Sequence, residues 1–181
     1  MQYGADGVVV NERLQTTNPR VFAAGDVASP YKFTHAADAM ARIVVQNALF
    51  YGRRRATALV IPWCTYTAPE VARVGEIAGD AITVQLADLD RAVVDDQTDG
   101  FVRVYHERGR IRGCTIVAPR AGDLIGHVAH VMRTRGSLSD LSATVFPYPT
   151  YAEALRKAGD AYRRSLLTPA ARWLFRKYSR R

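Results

Sequence analysis

The spacing of apolar residues changes several times along the chain, and each change marks a predicted element. Residues 34–50 repeat apolar side chains at helical spacing, with Thr34 as the candidate N-cap and Gly52 after the last turn. Residues 121–135 show the same spacing and stop at Gly136. Shorter apolar or alternating runs predict strands, which are residues 7–12, 21–24, 80–86, 100–106 and 110–117. The chain therefore mixes helices with strands.

Some of these strands are predicted to be antiparallel neighbours. Residues 107–109, Glu-Arg-Gly, separate the last two strands by a short turn that is typical of a hairpin.

Two further segments have mixed patterns. Residues 58–75 hold an apolar strand, a turn with proline and a second short strand. Residues 139–145 are predicted to form a turn that leads into an extended run.

Composition shifts near residue 57. Residues 51–57 are polar and hold three consecutive arginines, and the apolar pattern resumes at Ala58. We therefore predict three segments, which are residues 1–57, a main domain over 58–160 and a tail over 161–181.

The net charge of +8 is concentrated in the tail. Residues 161–181 carry seven basic residues and no acidic one, so the rest of the chain is almost neutral. This distribution disfavours nucleic-acid binding, which needs a basic surface on the folded domain. Thr168 and Pro169 begin a predicted basic amphipathic helix with Trp173 on its apolar side. Such a helix over residues 168–181 could contact an anionic membrane or pack against a dimer of the chain.

The chain lacks other signs of a membrane, metal or disulfide protein. No apolar run approaches the ~18 residues that a bilayer span needs, and no signal peptide is apparent, which favours the cytoplasm. Cys64 and Cys114 lie fifty positions apart and are predicted to be reduced core thiols. His127 and His130 have a spacing that suits two metal ligands, but without a nearby third ligand we interpret them as surface or interface residues.

Gly25-Asp26 follows the predicted strand at residues 21–24. Gly25 has no Cβ and would let a ligand approach the backbone closely. Asp26 could accept hydrogen bonds from the hydroxyl groups of a ribityl chain, and the helix that begins near Thr34 would point its N-terminus toward the same ligand. An aspartate in an ordinary turn after a strand would give the same pattern.

Gly25-Asp26 and the helix after it resemble the second FAD-binding motif of the flavoprotein pyridine nucleotide-disulfide oxidoreductases, the family that includes dihydrolipoamide dehydrogenase and mercuric reductase. Residues 67–75, Thr-x-Pro-Glu-x-Ala-x-Val-Gly, resemble the opening of the family's dimerisation domain. The resemblance implies that Asp26 binds the ribityl and pyrophosphate region of FAD and that the backbone of residues 34–36 faces the flavin. The implied cofactor-binding residues are Gly25, Asp26, Thr34, His35 and Ala36.

A third match lies at residues 146–155. Two prolines keep the backbone extended, and Thr150 with Glu153 is close to a capping box for a following helix, which by itself explains the pattern. Most members of the family carry His-Pro-Thr-x-x-Glu here, in which the Glu orients the His, and mercuric reductases also carry Tyr in place of the His. The resemblance therefore implies that Tyr148 and Glu153 are catalytic and act on the thiols of the partner subunit. A tyrosine, with a pKa of ~10, is a poor base at neutral pH, but it could donate a hydrogen bond to a thiolate or help to position a thiophilic metal.

The resemblance also implies a fold, which is α+β with an antiparallel sheet and helices on one side, preceded by a remnant of an α/β FAD-binding domain. The function that it implies is that of the C-terminal part of an FAD-dependent, NAD(P)H-linked oxidoreductase closest to the mercuric reductases. The chain ends without the cysteine pair of those enzymes, so mercury is not predicted as the substrate.

No G-x-G-x-x-G motif and no close cysteine pair occur in these residues. We therefore expect a fragment, a truncated product or a separately encoded C-terminal piece, which by itself is inactive and binds FAD weakly. A homodimer is expected, with Leu124, Val128 and Val131 meeting across a two-fold axis. The alternative function is a dimerising scaffold without catalysis.

Overall fold

The structure is a computed structural model that describes residues 1–168, 173, 177 and 178. Its contacts divide the chain into two compact units, Met1–Ile61 and Pro62–Arg181. The tail helix predicted for residues 168–181 falls almost wholly outside the described residues. No helix in the described part of the chain combines the length and the apolar character that a bilayer crossing requires.

The first unit is built on one long helix. Strands β1 (Tyr3–Gly4) and β2 (Gly7–Val8) form a small antiparallel hairpin, and helix α1 runs over Thr34–Leu49. Short 3₁₀ turns lie at Gly25–Val27 and Ala56–Ala58. The buried cluster joins α1 to one residue of the preceding loop, and its members are Leu14, Ala36, Met40 and Ile43. The three α1 residues are four and three positions apart, which places them on one face of the helix.

The strands predicted at residues 7–12 and 21–24 are wrong in extent. Strand β2 ends at Val8, and Phe22 forms only a single bridge with Gln15. The backbone between them is held by main-chain bonds within turns, such as Leu14 N–H to the Asn11 carbonyl oxygen, and by Asn11 Oδ1, which accepts hydrogen bonds from the N–H groups of Arg13 and Gln15. Such local bonds compete with a strand ladder for the same backbone groups.

The second unit contains a five-stranded sheet in the order β3-β4-β7-β6-β5, in which every pair is antiparallel. Its strands are β3 (Trp63–Thr65), β4 (Glu70–Gly75), β5 (Asp80–Gln85), β6 (Phe101–Glu107) and β7 (Arg110–Ala118). Arg108 and Gly109, between β6 and β7, have φ angles of 49° and 85°, as in the two-residue turn of a right-twisted hairpin. The predicted hairpin and strand pattern of this unit are therefore confirmed.

Helices cover one face of this sheet. The face is lined by buried apolar side chains that oppose one another across the strands, and they are Ala72, Val74, Val102, Val104, Cys114 and Ile116. Helix α3 (Ala121–Arg133) packs on β3, β4 and β7, and helix α5 (Glu153–Ser165) packs on β5 and β6. Helix α4 (Leu138–Ala143) packs on α5, and the five-residue helix α2 spans Asp90–Val94. The predicted α+β class, an antiparallel sheet with helices, is confirmed.

The predicted use of the apolar face of α3 in a dimer is wrong. Leu124 is 7% exposed and Val128 is fully buried, while Val131 is half-buried. These residues lie on the helix that covers β4 and β7 of the same chain. The amphipathic pattern correctly identified a buried face, but the sheet of the same chain, and not a second subunit, buries it.

Residues 139–145, predicted as a turn and an extended run, instead fall mostly in helix α4. Ser137 precedes the helix, and the Asp140 carboxylate accepts hydrogen bonds from its N–H at 2.7 Å and its hydroxyl at 2.8 Å. This is a capping box with aspartate in place of glutamate. The sequence Ser-x-x-Asp was the signal that the strand prediction overlooked.

Replacing Ser137 with alanine should cost about 1 kcal/mol of unfolding free energy at pH 7. The Ser137 hydrogen bonds lower the pKa of Asp140 from its ordinary 3.8. A lowered carboxyl pKa stabilises the fold above the unfolded value and loses that effect as the pH falls through the folded value. The difference between wild type and Ser137→Ala, measured by urea unfolding, should therefore narrow below pH 3.8. Ser139→Ala, at an exposed helical position, is the control, and a constant difference across pH would contradict the capping role.

Candidate functional site

Gly25-Asp26 forms a 3₁₀ turn that packs against the start of α1. Gly25 has a φ of 78°, and a Cβ added there would lie 3.0 Å from the Cβ of Ala37. Glycine is therefore required both by the backbone conformation and by the closeness of the helix. Asp26 is exposed, and its carboxylate has no hydrogen-bond partner among the described residues. Its main-chain oxygen accepts a hydrogen bond from Lys32 Nζ at 2.9 Å.

The N-terminus of α1 has no side-chain cap. Phe33 occupies the N-cap position with extended backbone angles, and Thr34 is the first helical residue, so the predicted capping by Thr34 is wrong. His35 is exposed and stacks on Phe33 with ring centroids 5.4 Å apart. Ala36 is buried in the small core of the first unit. An uncapped helix start offers backbone N–H donors and a positive dipole end to an anionic group.

Tyr148 lies in the segment between α4 and α5 and is 69% exposed. Its hydroxyl donates a hydrogen bond to Oδ2 of Asp90 at 2.5 Å. This bond and the charge of Asp90 raise the pKa of Tyr148, because both stabilise the protonated phenol. A smaller fraction of Tyr148 is therefore ionised at neutral pH than of an isolated tyrosine, so less of it is available to act as a base.

Glu153 is the first residue of α5, and its side chain is 12% exposed. Its carboxylate accepts a hydrogen bond from Arg156 Nη2 at 2.8 Å, one turn further along the helix. The Thr150 hydroxyl donates to the Pro147 carbonyl at 2.7 Å, and the N-cap position belongs to Ala152. The predicted capping box is therefore wrong, since Glu153 lies too early in the helix to close one.

Four residues around the Tyr148 segment were not predicted. Asp95 Oδ2 accepts a hydrogen bond from the Tyr151 hydroxyl at 3.1 Å, and Arg91 donates two bonds to Asp95 at 2.8 and 2.6 Å. Arg91 lowers the pKa of Asp95, and burial together with the bond to Asp95 raises the pKa of Tyr151. With Asp90, these residues belong to a cluster joining α2 to the segment before α5. The sequence signal was the concentration of five aspartates in residues 88–99.

The cysteines form no redox pair with each other. Cys114 is buried on the helix-covered face of the sheet, and burial raises its pKa strongly. Cys64 is half-buried, and its Sγ donates to Oε2 of Glu70 at 3.7 Å, so that burial and the nearby carboxylate raise its pKa. Both are free thiols, as predicted, although only Cys114 belongs to the core. Within the described residues no cluster of three or more histidine, cysteine or acidic side chains could hold a metal ion.

Residues 61–159 match the model of the pyridine nucleotide-disulphide oxidoreductase dimerisation domain. The chain belongs to this family. The matched range holds the whole five-stranded sheet, helices α2 to α4 and the segment with Tyr148. The resemblance inferred from residues 67–75 and 146–155 is thereby confirmed.

Relatives extend the similarity to the first unit as well. The chain is 34% identical over 166 residues to the mercuric reductase of Streptomyces lividans, covering 86% of this chain and 35% of the relative. It is 32% identical over 160 residues to the dihydrolipoyl dehydrogenase of Mycoplasma pneumoniae, covering 82% and 35%. The chain thus spans about a third of the length of these relatives.

Solved structures agree with the fold. The chain superposes on LpdA from Mycobacterium tuberculosis with a TM-score of 0.81 and 25% identity, covering 88% of this chain and 38% of that one. For the HOCl-induced flavoprotein disulfide reductase RclA of Escherichia coli the TM-score is 0.77, with 25% identity and coverage of 92% and 40%. The predicted recognition of the flavoprotein disulfide reductases, with mercuric reductases among the relatives, is confirmed.

Proposed function

We propose that this chain is the C-terminal part of an FAD-dependent, NAD(P)H-linked oxidoreductase of the mercuric-reductase-like branch, which acts as a homodimer in the cytoplasm. The observation that carries the proposal is that the Gly25-Asp26 turn precedes a dimerisation domain in one chain, in the order that the family resemblance implies. A dimerisation domain alone would fit many assemblies. Its combination with this turn favours a flavoprotein.

The first unit fits the ribityl side of FAD. The Asp26 carboxylate has no partner among the described residues and would accept hydrogen bonds from ribityl hydroxyl groups. The start of α1 at residues 34–36, where Phe33 supplies no side-chain cap, would stabilise negative charge on the flavin ring through the helix dipole. When bound, FAD supplies the transfer of electrons from the nicotinamide to a disulfide. Gly25 lets the turn lie close to α1, so that the Asp26 carboxylate and the start of α1 could contact the same ligand.

The second unit would supply the partner's active site. Tyr148 and Glu153 lie in the segment that the family resemblance assigns to the thiols of the other subunit. Tyr148 is exposed and protonated, so its hydroxyl group can contact a group outside its own subunit. Glu153 forms an ion pair with Arg156, and this pair would stabilise the start of α5 next to that segment. Contact of residues 168–181 with an anionic membrane stays a prediction.

Light scattering and flavin retention test this function. At micromolar concentration the chain should have twice its 20.0 kDa mass, since the interface of an obligate dimer typically exceeds ~2,000 Å². A monomer would contradict the dimer. FAD added to the chain alone should be lost on dialysis, because Asp26 reaches only one end of the cofactor.

The scaffold alternative and the oxidoreductase proposal predict different coding sequences upstream of Met1. If the oxidoreductase proposal is correct, the reading frame upstream of Met1 encodes a G-x-G-x-x-G motif and a close cysteine pair, and the longer product retains FAD and oxidises NAD(P)H. Absence of both motifs from that frame would reject the oxidoreductase and leave the scaffold.

A further inference from the structure

Helix α2 presents two carboxylates to the segment that contains Tyr148. Asp90 is the first residue of α2 and accepts a hydrogen bond from the Tyr148 hydroxyl at 2.5 Å. Asp95 directly follows α2 and accepts a hydrogen bond from the Tyr151 hydroxyl at 3.1 Å. The bonded residues are 58 and 56 positions apart in the sequence. A five-residue helix therefore holds the segment at two points that are three residues apart.

The two bonds differ in what surrounds them. Tyr151 is 8% exposed, and Asp95 is fixed by two hydrogen bonds from Arg91, so packing and charge already determine this contact. Tyr148 is 69% exposed, so packing holds its ring weakly. Among the described residues, Asp90 is the sole hydrogen-bond partner of the Tyr148 hydroxyl. The direction of that hydroxyl therefore depends on Asp90.

We propose that Asp90 is a positioning residue for Tyr148. Its carboxylate accepts the hydrogen bond that the Tyr148 hydroxyl donates, which leaves the tyrosine oxygen to act as an acceptor toward the partner subunit's thiols. This assignment rests on the proposed oxidoreductase function. Of the two roles expected from the sequence, it excludes the donation of a hydrogen bond to a thiolate and keeps the positioning of a thiophilic metal. It also moves the orienting carboxylate from Glu153, which Arg156 engages, to Asp90.

The chemistry follows from the single proton of the phenol group. A tyrosine hydroxyl has one donor, and when Asp90 accepts that hydrogen bond only oxygen lone pairs remain for other groups. Those lone pairs can accept a hydrogen bond from a thiol or contact a thiophilic cation. The charged groups that raise the pKa of Tyr148 are Asp90 first and Glu153 to a smaller extent, so the oxygen stays protonated while it accepts.

Titration of Tyr148 in this chain tests the pairing directly. The Cζ resonance of ¹³C-labelled tyrosine, assigned by its loss in Tyr148→Phe, reports the pKa of that one side chain. In Asp90→Asn the pKa of Tyr148 should fall toward its ordinary value, because the charged acceptor is gone. Asp88→Asn is the matched control. It removes the same charge two positions before Asp90, and the Asp88 side chain is not a hydrogen-bond partner of Tyr148. An unchanged Tyr148 pKa in Asp90→Asn would overturn the proposal.

Turnover of the longer protein tests the positioning role. Asp90→Asn and Tyr148→Phe should each lower turnover by about tenfold, because each removes the same charge-assisted hydrogen bond. The turnover of the double variant should be no lower than that of either single variant. Losses that multiply in the double variant would reject a shared role. A longer protein without NAD(P)H oxidation would reject the proposed function instead, while the titration would still decide whether Asp90 holds Tyr148.

Discussion

Gly159→Ala is expected to destabilise the second unit by about 2 kcal/mol, although alanine is the better helix former. Gly159 lies in α5 where that helix crosses α4. A Cβ added there would meet the carbonyl oxygen of Leu138 and the backbone N of Ser142, with Ser142 Cα at 2.9 Å. These are backbone atoms, so relief requires the two helices to move apart. The segment with Tyr148 runs between the end of α4 and the start of α5, so their separation would also displace it.

A second helical glycine provides the control for Gly159. Gly126 in α3 is exposed, and a Cβ added there would meet nothing within 4 Å. Gly126→Ala should therefore stabilise the protein by roughly 0.5 to 1 kcal/mol through the loss of backbone freedom in the unfolded chain. Urea unfolding followed by circular dichroism measures both variants. A Gly159→Ala protein as stable as wild type would show that the α4–α5 contact can open without cost.

The elements that could be predicted from the sequence are those fixed by local signals. The β6–β7 hairpin follows from alternation on both sides of a turn that ends in Gly109, and helix α3 follows from apolar spacing that stops before Gly136. Helix α4 was missed because its six residues are too short for a periodic pattern, although the capping pair Ser137 and Asp140 marks its start.

Partners could not be predicted from spacing. The pattern of α3 shows that Leu124 and Val128 are buried, but an apolar stripe is the same whether a sheet or a second subunit covers it. The contacts of Tyr148 and Tyr151 with α2 join residues more than fifty positions apart, and no periodic signal records such a contact.

The candidate site was predicted by resemblance more than by pattern. In the Gly25-Asp26 turn, Gly25 has a φ of 78° and the Asp26 carboxylate has no hydrogen-bond partner among the described residues. Residues 21–24 form no strand, because their backbone groups bond within local turns, as in the hydrogen bond from the Val21 N–H to the Asn18 carbonyl oxygen. Tyr148 could be chosen as a candidate from the sequence, whereas its hydrogen bond to Asp90 could not be predicted. Residue type is a local property, and orientation depends on the tertiary fold.

Met40→Ala is expected to open the first unit selectively. Met40 is 3% exposed and packs in a cluster of only four buried residues with Leu14, Ala36 and Ile43, so one side chain is a large part of this core. Removing the Met40 side chain should cost about 3 kcal/mol, because alanine loses its apolar contacts and leaves a cavity in a small core. Alanine favours helices, so the loss reports packing and not helix propensity.

Hydrogen exchange should localise this effect. The amides of α1 should exchange about a hundredfold faster in Met40→Ala, since 1.4 kcal/mol corresponds to a factor of ten. The Gly25–Val27 turn should follow α1, because Gly25 packs on Ala37, whereas the amides of β6 and β7 in the other unit should keep their protection. Val45→Ala, on the exposed side of α1, is the matched control and should leave exchange unchanged. If Met40→Ala accelerated exchange equally in α1 and β6, the two units would unfold as one. If it left the Gly25–Val27 turn protected, α1 would not be what positions Asp26.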